Sequence, residues 1–268
     1  MITRLNQSER GTSADIIHYK NHVKSSTRGL ACQGCSLSSL CSQERKPSDT
    51  QDEFFSVIKQ GKPSRKGRQI YSQGTPCKSL FVVRSGALKA VNVSPSGVEQ
   101  VTGFYLPGDI VGFDGLADGH YANSLVALDT VSLCELPLKH LSPKLAESES
   151  ARQQLMALQS QALMQQQSFV LQLCQNTAEE RVAAFLLNLS GRYKRRHLAA
   201  DHFHLPMSRK DIASYLGLAV ETISRLFSRF QASQMIAVEG REITLLDLSA
   251  FDPAAPNKTS SSNFEHQA

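Results

Sequence analysis

Residues 208–230 read SRKDIASYLGLAVETISRLFSRF and predict two short helices. Ser208 is a residue type that caps the start of a helix, and Gly217 is typical of the position just after a helix end. The second half carries apolar residues at helical spacing on one face: Ile223, Leu226, Phe227 and Phe230. Two helices joined by a short glycine-containing turn form the helix-turn-helix layout, in which the second helix enters the major groove of DNA.

The opposite face of the second helix carries polar residues that suit contacts with bases. Arg225 can form a bidentate pair with guanine, Glu221 can accept a hydrogen bond from cytosine, and Ser224 can contact a base edge or thymine. Nearby cations could hold phosphates, which positions a protein on DNA without specifying sequence: Arg209, Lys210 and Arg229. The spacing alone also fits an ordinary amphipathic hairpin with a solvated charged face.

The flanking segments complete a predicted DNA-binding domain over residues 176–250. Thr177 and Glu180 form a capping box, which predicts a helix that stops near Gly191. A linker-like stretch with solvent-exposed histidines follows: His197, His202 and His204. The turn at residues 239–241 then predicts the two strands of a wing. Residues 251–268 are rich in Ser, Asn and Pro and predict a flexible tail.

Upstream, residues 143–175 predict one long helix, because this segment contains no glycine and no proline other than Pro143. Its candidate seam alternates spacings of three and four: Met156, Gln159, Leu163, Gln166, Val170 and Leu173. Such spacing suits a coiled-coil contact in a homodimer, although a helix packed on its own domain fits the same pattern. The glutamines make this seam polar, so we expect a dimer of limited strength.

Short apolar or alternating runs separated by Gly and Pro fill residues 51–142. The clearest runs are residues 69–71, 80–83, 87–93, 100–104 and 130–136. Short strands at this spacing predict a β-sandwich, jelly roll or barrel. With the helices that follow, the fold class is α+β.

Residues 1–50 are polar and carry a cysteine run, C-x2-C-x5-C, formed by Cys32, Cys35 and Cys41. Such a segment cannot build a core of its own, and a metal centre is one way to tie it down. Three thiolates require a fourth ligand for zinc or for an iron–sulfur cluster. The chain offers three further cysteines: Cys77, Cys134 and Cys174. Cys134 lies in a predicted strand, where rigid placement suits a ligand, and the residues alone leave zinc and iron–sulfur equally open.

Composition sets the remaining limits. The 268 residues have a net charge of +5, which permits nucleic-acid binding without establishing it. No apolar run approaches the length of a membrane span, and the N-terminus has no secretory pattern. We therefore expect a cytoplasmic protein, whose thiols stay reduced and whose clustered cysteines bind metal. No Cys–His pair lies near the cysteine run, which argues against a thiol enzyme.

Together these features closely resemble the FNR-type oxygen-responsive regulators of the CRP/FNR superfamily, the group that includes ANR. The resemblance covers about residues 30–245. It rests on these segments: 32–41, 100–104 (QVTGF), 108–114 (GDIVGFD), 134–137 (CELP), 178–181 (AEER) and 215–225. It implies an N-terminal cyclic-nucleotide-binding-like β-roll, a long dimerisation helix and a C-terminal winged helix-turn-helix.

The resemblance also implies a mechanism. Cys32, Cys35, Cys41 and Cys134 would ligate an oxygen-labile [4Fe-4S] cluster, and the intact form would bind DNA as a homodimer and contact RNA polymerase. The family's Glu-x-x-Ser-Arg pattern falls on residues 221–225 and predicts a TTGAT-N4-ATCAA palindrome.

A zinc-stabilised or cyclic-nucleotide-dependent CRP-type regulator is the alternative. The stretch after Gly112, at residues 121–124, lacks the arginine that cyclic-nucleotide relatives use for the phosphate, so the nucleotide pocket is expected to be vestigial.

The sequence departs from the family pattern at three positions. Ala219 stands where an N-cap threonine is common, so the recognition helix lacks a hydroxyl cap. Gln166 lies where relatives can carry an acidic residue whose repulsion keeps the cluster-free form monomeric, and without it this chain is expected to dimerise more readily after cluster loss. Val98 replaces an acid in a turn that relatives present to RNA polymerase.

Overall fold

The computed structural model describes residues 58–196, 198–247 and residue 251. Within that part, no helix is long and apolar enough to cross a membrane. The predicted arm at residues 1–50, with three of the four predicted cluster ligands, lies outside the described residues, as does the tail from residue 252.

The N-terminal half is a β-roll of two four-stranded antiparallel sheets, as the alternating runs predicted. Its strands are β1 Lys59–Gln60, β2 Gln69–Tyr71, β3 Ser79–Ser85, β4 Leu88–Val93, β5 Glu99–Tyr105, β6 Ile110–Val111, β7 Ser124–Ala127 and β8 Ser132–Pro137. One sheet has the order β1-β8-β3-β6 and the other β2-β7-β4-β5. Alternate residues of these strands fill a core that includes Val83, Leu88 and Leu125.

A tight turn joins β3 to β4 at Gly86. Its φ is +77°, a conformation that favours glycine, and a Cβ atom there would lie 2.4 Å from the carbonyl oxygen of Thr130. The turn therefore needs glycine for both its backbone angle and its packing.

Two helices follow the β-roll, where the sequence predicted one. They are α1, Leu138–Glu147, which contains Pro143, and α2, Glu149–Gln175. The prediction of a single helix starting at residue 143 is wrong. Ser148 has an extended backbone, and its side chain accepts a hydrogen bond from the Ala151 amide at 3.3 Å. This cap starts a new helix.

The C-terminal half is a winged helix-turn-helix. Its elements are α3 Ala178–Lys194, β9 His202–His204, α4 Arg209–Leu216, α5 Val220–Ala232, β10 Ile236–Glu239 and β11 Glu242–Leu245. The predicted capping box starts α3, and the predicted cap Ser208 starts α4 as part of a second capping box. Gly217 ends α4 with a φ of 65°. The strands form one antiparallel sheet in the order β10-β11-β9.

Three local predictions in this half are wrong. Helix α3 continues past Gly191 to Lys194. The predicted histidine linker contains strand β9, because the side chain of Phe203 is buried and its backbone pairs with that of Ile243. At the start of the predicted tail, Phe251 is buried and packs edge-on against Phe230 at 5.5 Å.

The two halves share one apolar core. The ring of Tyr215 in α4 stacks on Phe169 of α2, with centroids 4.2 Å apart, and meets Phe104 of β5 edge-on at 5.0 Å. Buried residues of both halves belong to the same cluster, among them Val101 in the β-roll and Leu186 in α3. The DNA-binding domain is therefore packed directly against the β-roll.

We expect that Ala219→Ser will raise the free energy of unfolding by about 1 kcal/mol. Ala219 has the extended backbone of an N-cap, but no side-chain hydrogen bond caps α5. A serine hydroxyl would accept an amide hydrogen bond there, and urea denaturation measures the gain. Ala232→Ser, at the other end of α5, is the control; equal changes in the two variants would contradict the capping argument.

Candidate nucleic-acid interface and cluster ligands

Helix α5 exposes the three polar residues that the sequence predicts to contact bases. Ile223, Phe227 and Phe230 are buried against the domain core, which orients the helix. Glu221, Ser224 and Arg225, which we call the base-contacting face, are exposed on the other side. Ser224 donates its hydroxyl hydrogen to the carbonyl oxygen of Val220 at 3.0 Å, so its oxygen lone pairs remain able to accept from a base. Within the described part of the chain, Glu221 and Arg225 form no ion pair.

The predicted phosphate contacts differ in their availability. Lys210 is exposed at the start of α4. The guanidinium of Arg209 lies 3.4 Å from the ring centroid of Phe227, and burial lowers the pKa of Arg209. Arg229 pairs with Glu179 of α3, so a phosphate contact would compete with that ion pair. Lys210 is thus the most available of the three, and the stacked Arg209 also helps to hold α4 against α5.

Helix α4 is held at its start by Asp211, whose carboxylate accepts from the amide and the hydroxyl of Ser208 at 3.0 and 2.6 Å. The same carboxylate accepts from the ammonium of Lys89, in β4 of the β-roll, at 2.5 Å. Burial alone would raise the pKa of Asp211, but the hydrogen bonds from Lys89 and Ser208 outweigh it and lower the pKa.

Cys134 lies next to the first strand of the described chain. It is in β8, and its register partner on β1 is Gln60, at the start of the described chain. Cys41 is eighteen residues before Lys59. An extended chain of that length spans tens of ångströms, so this segment is long enough for Cys41 to reach Cys134. Cys134 is half-buried against an apolar cluster, the kind of shell that limits solvent access to a metal centre.

The other two candidate ligands occupy different places. Cys77 is half-buried near Tyr121 and Gly115 in the β-roll, and burial raises the pKa of its thiol. Cys174 is exposed near the end of α2. Of these three cysteines, Cys134 is the one in the strand that pairs with β1, and its thiol chemistry fits an iron–sulfur or zinc centre.

The predicted dimer seam on α2 is partly exposed in the single chain. Four of its six members are exposed to solvent: Met156, Leu163, Gln166 and Val170. Met156 has 67% of its surface exposed. The other two predicted members are half-buried: Gln159 and Leu173. Met164 and Leu171 are also exposed and were missed by the sequence prediction. They follow Leu163 and Val170 by one residue and widen the apolar stripe.

Two tyrosine rings and a carboxylate lie near the stretch where a nucleotide phosphate would be expected. The rings of Tyr71 and Tyr121 stack with centroids 3.7 Å apart, and the hydroxyl of Tyr121 donates to the Ser79 carbonyl at 2.6 Å. Asp114 accepts from the side-chain amide of Asn123 at 3.0 Å, which places a carboxylate beside the stretch that lacks the phosphate-binding arginine. This charge opposes an anionic ligand.

Comparisons with known proteins match both halves of the chain. A Crp-like helix-turn-helix domain matches residues 180–252, and a cyclic nucleotide-binding domain matches residues 62–148. The chain is 43% identical over 216 residues to the transcriptional activator protein anr of Pseudomonas aeruginosa, an alignment that covers 81% of this chain and 88% of that protein.

Two further relatives agree with these matches. The fumarate and nitrate reduction regulatory protein of Escherichia coli K12 is 41% identical over 223 residues, which cover 83% of this chain and 89% of that protein. The solved structure of FixK2 from Bradyrhizobium japonicum is 29% identical and has a TM-score of 0.66, covering 73% of this chain and 96% of that chain.

We expect Asp211→Asn to lower the free energy of unfolding by about 2 kcal/mol at pH 7, because its charged hydrogen bonds are lost. A lowered folded-state pKa means that the carboxylate stabilises the fold above its unfolded pKa, near 4, and that this contribution is lost as the pH falls through the folded-state pKa. Urea denaturation of both proteins at pH 7 and in the acid range measures the difference. Asp201→Asn, at an exposed position, is the control, and a pH-independent difference would contradict the argument.

Proposed function

The chain belongs to the CRP/FNR family of transcriptional regulators, and we propose that it is an oxygen-responsive member that binds DNA as a homodimer. Its family and its winged helix-turn-helix make it a DNA-binding regulator and not an enzyme. The oxygen response, the cluster and the DNA sequence are the proposed part.

Cys32, Cys35, Cys41 and Cys134 are proposed to hold a [4Fe-4S] cluster. Such a cluster supplies an oxygen-labile centre, whereas zinc has no redox chemistry with which to report oxygen. The observation that carries the proposal is the position of Cys134, which faces Gln60 in the first strand of the described chain. A fourth ligand at this point gives the three arm cysteines a rigid anchor.

The surroundings of Cys134 connect this site to the dimer helix. Cys134 packs against an apolar cluster that also contains Ala151 and is contacted by Leu155 and Leu158, all in the first half of α2. Ligation at Cys134 would bring the arm cysteines next to this cluster, against which Ile58 also packs. The position of α2, which bears the proposed seam, is thereby coupled to the state of the cysteines.

We propose a TTGAT-N4-ATCAA palindrome as the DNA site and genes of anaerobic metabolism as the targets. The Escherichia coli relative is named for fumarate and nitrate reduction, which concerns that protein and supports the proposal for this one. The proposed base contacts come from Glu221, Ser224 and Arg225. Lys210, which is exposed, is the proposed phosphate contact. RNA polymerase is the proposed protein partner at these promoters.

A cyclic-nucleotide-dependent regulator is the weaker alternative. The β-roll matches a cyclic nucleotide-binding domain, so the fold is compatible with it. However, Asp114 lies beside the stretch where a phosphate-binding arginine is missing, and Tyr71 and Tyr121 stack within the β-roll. An unpaired cyclic phosphate would bind poorly beside a carboxylate.

Arg225→Ala is expected to weaken binding to the palindrome by about 1–3 kcal/mol and to relax discrimination at the guanine of the half-site, because the bidentate pair is lost. Fluorescence anisotropy with the parent palindrome and with a guanine-substituted one measures both effects. Lys210→Ala is the comparison, since loss of a phosphate contact should weaken both sites equally. An unchanged ratio between the two sites in Arg225→Ala would contradict the assignment.

The cluster proposal predicts a coloured protein when it is purified without oxygen. Iron and sulfide should be present, the visible absorption should fade in air, and affinity for the palindrome should fall with it. Cys134→Ser should lose the absorption, whereas Cys174→Ser, at an exposed position on α2, should keep it. A colourless anaerobic protein that binds DNA at full affinity would refute the proposal.

A further inference from the structure

The DNA-binding domain shares an apolar core with the β-roll and is also attached to it by polar contacts between residues far apart in the chain. The first joins the ammonium of Lys89 in β4 to the carboxylate of Asp211 in α4 at 2.5 Å. The two side chains keep only 24% and 12% of their surface exposed, so solvent weakens this ion pair less than it would a surface pair. Lys89 thus holds the first helix of the helix-turn-helix.

A second contact holds α3. Asp109, in the turn before β6, accepts from the guanidinium of Arg196 at 2.7 Å and also pairs with Arg192. Arg192 also donates to the carbonyl oxygen of Phe104 in β5 at 3.0 Å. The end of α3 is therefore fixed to β5 and to the turn that follows it.

A third contact ties α4 to the edge of β5. The amide of Val101 donates to the hydroxyl of Ser214 at 2.9 Å, and the side chain of Gln100 donates to the Ser214 carbonyl. Asp211 and Ser214 lie three residues apart on one face of α4, so this helix is held at two points. We call the contacts of Lys89, Asp109 and Val101 with the DNA-binding domain the interdomain latch.

The interdomain latch restricts a domain that has little covalent restraint. Between α2 and α3 lie only Asn176 and Thr177, both with extended backbones. Contacts at three separate places add to the shared apolar core and oppose rotation about this link, because three points define the orientation of a body. The base-contacting face on α5 stays exposed while α4 and α3 are held.

We propose that the interdomain latch sets the spacing between half-sites that the homodimer accepts, with Lys89 and Arg196 as positioning residues. This inference rests on the proposed function. In a two-fold dimer, rigid attachment fixes the distance and angle between the two α5 helices. One added or removed base pair moves a half-site by about 3.4 Å and turns it by about 35°, so a held domain must break contacts or distort DNA to follow it.

The test uses the full-length protein, purified without oxygen, and palindromes of TTGAT and ATCAA with spacers of three, four and five base pairs. The parent protein should prefer one spacer. In the double variant Lys89→Met, Arg196→Met this preference should fall by about tenfold, since two charge-assisted contacts no longer resist rotation. Lys89→Arg keeps a cation and should keep the preference, and Lys139→Met removes an exposed charge and should also keep it.

The ratio of affinities between spacers is the deciding quantity, because a general loss of folding or of charge lowers all three affinities together. Failure of the parent protein to bind any of the palindromes refutes the proposed function. A parent protein that binds all spacers equally, or a double variant that keeps the parent ratio, refutes the inference alone. The single variant Lys89→Met, which leaves α3 attached, should give an intermediate ratio, and circular dichroism verifies that each variant is folded.

Discussion

The carboxylate of Asp211 performs two tasks on which the arrangement of the molecule depends. It closes the capping box that starts α4, and it accepts the ammonium of Lys89 from the β-roll. Helix formation in the DNA-binding domain and attachment of that domain to the β-roll therefore use the same buried charge. A buried carboxylate is stable only where its lone pairs are satisfied, so the two domains must meet for this helix start to be fully paired.

Cys134 and the base-contacting face lie in different domains, and packing connects them. Cys134 shares an apolar cluster with Leu155 and Leu158 at the beginning of α2. Near the other end of the same helix, Phe169 stacks on Tyr215 of α4. One long helix thus contacts the proposed ligand site, bears the proposed dimer seam and supports the helix-turn-helix. Close-packed elements of this kind transmit a change at one end because they cannot deform freely.

Local patterns predicted most single elements, because their signals lie within a few residues. The capping boxes at Thr177 and Ser208, the left-handed Gly217 and the uncapped Ala219 are all visible in the chain. Some of the wrong predictions concern features that non-local packing decided. The histidine linker contains a strand because Phe203 pairs with Ile243, forty residues later. The exposure of Met164 and Leu171 could not be predicted, because it depends on which face of α2 the rest of the protein covers.

The sequence by itself determined the family: the helix-turn-helix and the polar residues 221, 224 and 225 lie in short segments whose pattern does not depend on distant residues. Only the tertiary structure decided which cysteine of the β-roll meets β1, that Arg209 and Arg229 already have partners, and that Lys89 reaches Asp211. Those contacts join residues separated by tens to more than a hundred positions, and no periodicity or spacing in the chain encodes such a distance.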